Sequence, residues 1–210
     1  MANHLVLLGD SIFDNRAYTA GEPDVVEHLR GILPSGSRAT LCAVDGDTTA
    51  GIPRQLQRVP GDATHLIISI GGNDALQNFD LLSMPVRSTT EALGMFASRV
   101  ARFEADYRSA IAGVLSVGRD TTVCTIYNGN LSPDEAEVAR VGLMTFNDVI
   151  LRVAFEHRLN VIDLRLICNE PADYANPIEP SGPGGLKIAR AILRSLNRSG
   201  TDREHSRVYI

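Results

Sequence analysis

His4-Leu5-Val6-Leu7-Leu8-Gly9-Asp10-Ser11 opens the chain and decides how the rest is read. Residues 5–8 are apolar at every position rather than every second one, the pattern of a strand covered on both faces. The run stops on a glycine and two small polar residues. Four more runs share its form, at 39–44, 65–70, 122–127 and 160–164. Helical patterns separate them. Residues 23–32 place Pro23 for a first helical turn. Leu93, Phe96, Val100, Phe103, Tyr107, Ala110 and Val114 step by three and four, giving one long amphipathic helix. Ser132-Pro133-Asp134-Glu135 reads as a capping box, opening a helix with Ala139, Leu143, Phe146, Ile150 and Val153 inside. Ile188, Ala189, Ile192 and Leu196 form a last buried face, with Lys187, Arg190 and Arg194 on its solvated side. Parallel strands need crossovers, and right-handed crossovers put helices on both faces. The expected fold class is therefore α/β: a three-layer α/β/α sandwich around a five-stranded parallel sheet of flavodoxin-like order 2-1-3-4-5.

The chain has 210 residues, which fits one domain over 1–210, with a core at about 4–196 and a polar tail at 197–210, mobile or docked at an edge. Hydrophobic residues at 44% and charged residues at 21% exclude a disordered or low-complexity chain. Aromatics at 5% and no Trp argue against a sugar-stacking platform or a single-strand binding surface. A net charge of −5 argues against a nucleic-acid partner, because phosphates need a concentrated positive field. Cys42, Cys124 and Cys168 are odd in number and widely spaced. They read as small core residues in a reducing compartment, not as disulfide, metal ligand or nucleophile. No run approaches the apolar length of a membrane span, and a cytoplasmic location is expected.

In an open α/β sheet, ligands bind beyond the carboxyl ends of the strands. Those ends here carry Gly9-Asp10-Ser11-Ile12-Phe13-Asp14-Asn15, then Asp45-Gly46-Asp47-Thr48-Thr49, then Gly71-Gly72-Asn73-Asp74, then Asn128-Gly129-Asn130. Beyond the last run lies Asn176-Pro177-Ile178-Glu179-Pro180-Ser181. A nucleophile needs exposure at a sharp strand-to-helix turn, and a neighbouring glycine allows close backbone approach. Ser11 has that setting. An oxyanion needs donors fixed in advance. The N–H groups of Ser11 and Gly46 and the Asn73 amide are suitable. The connection at 75–90 is long and partly apolar, as a lid or site wall would be.

These blocks resemble the SGNH, or GDSL, hydrolase family over about residues 4–196. Gly9-Asp10-Ser11 matches the nucleophile block, Gly46 the glycine block, and Gly71-Gly72-Asn73-Asp74 the Gly-x-Asn-Asp block. The resemblance implies Ser11 as nucleophile and Ser11, Gly46 and Asn73 as the oxyanion hole, with Asp10, Asp14 and Asp74 in support. It implies hydrolysis of a small-molecule ester, thioester or acetylated sugar, with no cofactor and no metal.

The last block departs from the family pattern, Asp-x-x-His-Pro. Asn176 stands at the Asp position and Glu179 at the His position, while Pro180, Ser181 and Gly185 keep the frame. His4 and His65 fall at the wrong ends of strands, and His28 and His157 on helices. His205, in the tail, is the one histidine free to visit a site. Glu179 can serve as an atypical base if burial raises its pKa. Asn176, expected to orient that carboxylate, fits the change: an anionic base gains nothing from a nearby anion, whereas a neutral imidazole does. The alternatives are a catalytically impaired or repurposed protein that binds a small ligand, with Glu179 capping the helix after Pro180, and a weaker reading, acid chemistry by Asp10 with Glu179.

Overall fold

The structure, a computed structural model, describes residues 2–196 and 205–210. In chain order the elements are β1 (His4–Gly9), α1 (Val25–Ile32), β2 (Arg38–Leu41), α2 (Ile52–Leu56) and β3 (His65–Ser69). Then come α3 (Gly72–Leu76), α4 (Thr89–Ser116), β4 (Asp120–Cys124), α5 (Pro133–Glu156) and β5 (Asn160–Ile162). The chain ends with α6 (Leu164–Ile167), α7 (Gly182–Leu196) and β6 (Val208–Tyr209). The sheet order is β2-β1-β3-β4-β5-β6, with every neighbouring pair parallel. The α/β class and the 2-1-3-4-5 order stand as expected. The strand number does not: the sheet has six strands rather than five. The sixth is two residues of the polar tail, Val208 and Tyr209, docked on β5 at Val161 and Ile162. A strand that short carries no readable pattern.

Two apolar cores flank the sheet. One holds Val6, Leu8, Ile68, Phe103, Ile111 and Ile150 on the α4–α5 side, and the other Leu5, Leu7, Val25, Leu29, Ile188 and Ile192 on the α1–α7 side. β1 feeds both, since successive side chains leave opposite faces of a strand; all six of its residues are buried.

Several local expectations shift. Pro23 lies outside α1, because Asp24 takes the cap: its carboxylate accepts from Glu27 N–H at 2.8 Å, and the Glu27 carboxylate accepts from Asp24 N–H. Ser132 starts α5 but makes no capping box; its hydroxyl donates to the Glu135 carboxylate instead of accepting a backbone N–H. β4 ends at Cys124, not Tyr127, since Thr125 turns to the Asp163 carboxylate and Ile126 pairs with the Asn147 side chain. Leu93 is 64% exposed, because the first turns of α4 run past the core. No helix among the described residues is long and apolar enough to cross a membrane.

Candidate active site

β1 ends on Gly9 at φ +133°, where a Cβ would meet the Ser69 carbonyl oxygen at 1.8 Å. Only glycine lets the ends of β1 and β3 lie this close. The chain then turns: Asp10 N–H donates to Ser69 O, and Phe13 and Asp14 N–H return to Asp10 O. The Asp10 carboxylate accepts from Ile12 N–H at 3.1 Å. This turn lifts Ser11 to the sheet's carboxyl edge, where it is 7% exposed.

There the Ser11 hydroxyl donates to Glu179 Oε1 at 3.0 Å. Glu179 is 6% exposed, and its Oε2 has no hydrogen-bond partner. Its loop is pinned throughout. Ala175 N–H donates to Glu179 O, Tyr127 Oη to Ile178 O, and Asn130 N–H to Pro177 O. Asn176 Oδ1 accepts from the N–H groups of Ile178 and Glu179, both at 2.9 Å. Asn176 thus fixes the backbone that presents Glu179. It does not orient the carboxylate itself, contrary to expectation: Glu179 Oε1 accepts from Ser11, Oε2 has no partner, and the Asn176 oxygen is spent on an Asx turn.

Gly71, at φ +120°, starts α3 and puts Asn73 in its first turn. One N–H of the Asn73 amide donates to Asp47 O at 2.9 Å, which orients the group and leaves its second N–H. The Asp74 carboxylate accepts from the Thr49 hydroxyl at 2.6 Å and from Thr49 N–H, stapling α3 to the loop after β2. That loop carries Gly46, at φ +78°. The Asp14 carboxylate holds it by accepting from Asp45 N–H at 3.0 Å.

Ser11, Asn73, Asp10 and Glu179 line one cleft, about 1090 Å³ including its open mouth; Gly46 is on an exposed loop outside that lining. Most of the wall is apolar. It comes from α3, the turn at 79–83, and the first halves of α4 and α5. The connection at 75–90 therefore does form a wall, but part of it is helical.

The carboxyl groups here are perturbed in one direction. Burial pushes Asp10 up to about 8, helped by the charges of Glu179 and Asp74, against the Ile12 N–H bond. Burial pushes Glu179 up to about 7, with Asp45 adding to the rise and the Ser11 hydroxyl opposing it. Burial also raises Asp74. Among the described residues, no histidine lines the cleft. His4 bonds Asp62 and Thr40, and His65 bonds Thr64, at the other end of the sheet. His205 precedes β6, which puts it at the amino ends of the strands, whereas Ser11 follows a carboxyl end.

The model of the GDSL-like lipase/acylhydrolase family matches residues 7–184. The chain belongs to that family. No curated protein sequence matches it. Among solved structures, the fold is similar to an extracellular lipase from Streptomyces rimosus (TM-score 0.67, 18% identity, 93% of this chain and 99% of that one). It is similar also to an acetylxylan esterase from Geobacillus stearothermophilus (TM-score 0.65, 21% identity, 94% and 97%). A lipase from a goat rumen metagenome has TM-score 0.71 at 17% identity, covering 92% and 97%. These likenesses are of fold.

Two site residues of this GDSL-family chain have roles that the sequence does not announce: Asn15 closes the block after the first run without showing a role there, and Gln55 belongs to no block. Gln55, fully buried on α2, clamps Gly9 from both sides: its oxygen accepts from Gly9 N–H at 2.8 Å and its amide donates to Gly9 O at 2.7 Å. Asn15, also fully buried, donates to Pro180 O at 3.1 Å and accepts from Val25 N–H. Asn15 thereby ties the Ser11 turn to the Glu179 loop. Its place four residues after Ser11 was the one available signal.

Proposed function

We propose that the protein hydrolyses carboxylic esters with Ser11 as nucleophile and Glu179 as general base. The observation that carries this reading is the buried hydrogen bond from Ser11 Oγ to Glu179 Oε1 at 3.0 Å. As Ser11 Oγ bonds to the ester carbonyl carbon, its proton passes to Glu179 and the carbonyl electron pair moves to oxygen. The N–H of Ser11 and the free N–H of Asn73, both in the cleft, hold that oxyanion, with the Gly46 N–H joining them from the adjoining exposed loop. Collapse expels the alcohol, which takes the proton from Glu179. Water then repeats the sequence on the acyl-enzyme, releasing the acid and restoring Ser11.

An ordinary glutamate is a weak base towards a hydroxyl. Glu179 is raised to about 7, close to where a general base is most useful at neutral pH. Protonation also removes a charge from beside Asp45, the carboxylate that adds to the rise. Asn176 acts by holding the loop, and Asp14 and Asp74 by holding the loop of Gly46.

The test is a fluorophosphonate probe together with the pH dependence of hydrolysis of an activated ester. Ser11 is expected to label, and Ser11→Ala to lose several orders of magnitude in kcat/KM. Glu179→Gln is nearly isosteric but cannot take the proton, so it should lose as much. The base works ionised, so wild-type kcat/KM should rise with pH through about 7. Wild-type rates in Glu179→Gln would reject the base. Absence of both labelling and hydrolysis would favour ligand binding without turnover, a reading supported by the carboxylate standing where the family pattern has histidine.

A further inference from the structure

We propose that Asp47 is a positioning residue for the oxyanion hole, locking the Gly46 loop and the Asn73 amide to the strand end that carries Ser11; this rests on the ester-hydrolase reading above. The three donors of that hole come from separate segments: the turn after β1, the loop after β2 and the first turn of α3. Asp47 is where the three are tied together. Its carbonyl oxygen accepts from Asn73 Nδ2 at 2.9 Å. Its N–H donates to Val44 O at 3.1 Å, closing a four-residue turn with Gly46 inside it. Its Oδ2 accepts from Gln55 Nε2 at 2.8 Å, and Gln55 in turn clamps Gly9, two residues before Ser11.

A primary amide has two N–H donors. Those of Gln55 are both engaged, one by Gly9 O and one by Asp47 Oδ2, and the side chain is fully buried, so it is a rigid link between strand and loop. Gly51 makes room for the carboxylate: a Cβ there would lie 2.4 Å from Asp47 Oδ2. The other oxygen, Oδ1, accepts from Arg54 Nη2 at 2.7 Å. Gly46 itself is exposed, with nothing near enough to pack on a Cβ, so its N–H is aimed by the bonds of its neighbours. Asp14 and Asp74 hold that loop at Asp45 and Thr49, on either side of Asp47, and Asp47 adds the tie to Gly9. Oxyanion donors work by being fixed before the charge develops. A displacement of about 1 Å is enough to cost about a hundredfold in rate.

The experiment is steady-state hydrolysis of a p-nitrophenyl ester by variants whose melting is measured alongside. Asp47→Ala should lower kcat by about tenfold to a hundredfold while KM stays within about twofold. Asp47→Asn keeps an oxygen for Gln55 Nε2 and should recover most of that loss. Gly51→Ala retains Asp47 but displaces its carboxylate, so it should repeat the fall in kcat, and it carries the test if Asp47→Ala does not fold. In an Asn73→Ala background, Asp47→Ala should cost clearly less than it does alone, because both changes then act on one donor. Unchanged kcat, a change in KM alone, or losses that simply multiply would overturn the positioning role; the ester reading would stand as long as Ser11→Ala is inactive. If wild type turns over no ester, that reading fails and the lock is read directly. In proton–nitrogen NMR spectra, Gly51→Ala should shift the side-chain amide signals of Asn73 and speed exchange of the proton held by Asp47 O. Signals that stay at their wild-type values and rates would overturn the lock.

Discussion

Asp10 and Glu179 are two carboxyl groups taken out of water in one cleft, and burial holds both above the usual carboxylate range. Asp10, 3% exposed and raised to about 8, has the larger shift. A carboxyl whose folded pKa exceeds its unfolded value binds more protons in the native state. Its contribution to stability is complete below the unfolded value, near 4, and is lost as pH rises towards 8. Ionisation of Asp10 therefore weakens the fold across the neutral range. Asparagine keeps an oxygen for Ile12 N–H and carries no charge. Asp10→Asn should raise the melting temperature by several degrees at pH 8, with little change at pH 4; an equal shift at both would show that charge is not the cause. Ser11 and Asn73 were legible in the sequence because a glycine and a strand end announced them. The role of Asn176 was not, since a side chain that bonds its own backbone two and three residues on looks, in sequence, the same as one that orients a neighbour.

At the scale of elements, the Ser11 turn and the Glu179 loop, 168 positions apart, must be held to within a hydrogen bond. Asn15 does most of this joining, through Pro180 O on one side and Val25 N–H at the start of α1 on the other. Asn15→Ala leaves both backbone groups buried without a partner, at a cost of about 2–4 kcal/mol in stability. The loop should also loosen, so kcat should fall by about tenfold or more while KM changes little, a split that thermal melts and steady-state rates would read together. Unchanged kcat in a destabilised Asn15→Ala would confine this residue to folding. Long-range polar staples such as Asn15 and Gln55 leave no periodicity behind. The helices they brace do, and α4, α5 and α7 were readable from apolar spacing. Their ends were not, because Asp24 captured the cap from the Pro23 side and Ser132 spent its hydroxyl on Glu135.

For the whole molecule, the six parallel strands separate chemistry from closure. The sheet's carboxyl edge carries Ser11, Asn73 and, across the cleft, Glu179, while β6 seals the β5 side. Arg207 O accepts from Val161 N–H at 2.8 Å and Tyr209 O from Asp163 N–H at 2.9 Å, and Arg194 donates to Ile210 O. Val208 and Tyr209 sit in a polar tail with no alternation to betray a strand, which is why five strands were legible and six were not. Deleting residues 207–210 uncovers the β5 edge and removes these bonds, about 2 kcal/mol, which for a chain of this length lowers the melting point by roughly 4–8 °C. An open edge also invites pairing between chains, so the shortened protein should self-associate at high concentration. Well below its melting point, kcat/KM should stay within about twofold of wild type, since β6 holds no site residue. His205→Ala should be silent in both melting and rate, because the parallel register places it at the far end of the sheet from Ser11. If His205→Ala abolished hydrolysis without moving the melting point, the imidazole would be the working base and the carboxylate of Glu179 would be left with the serine only as a hydrogen-bond partner.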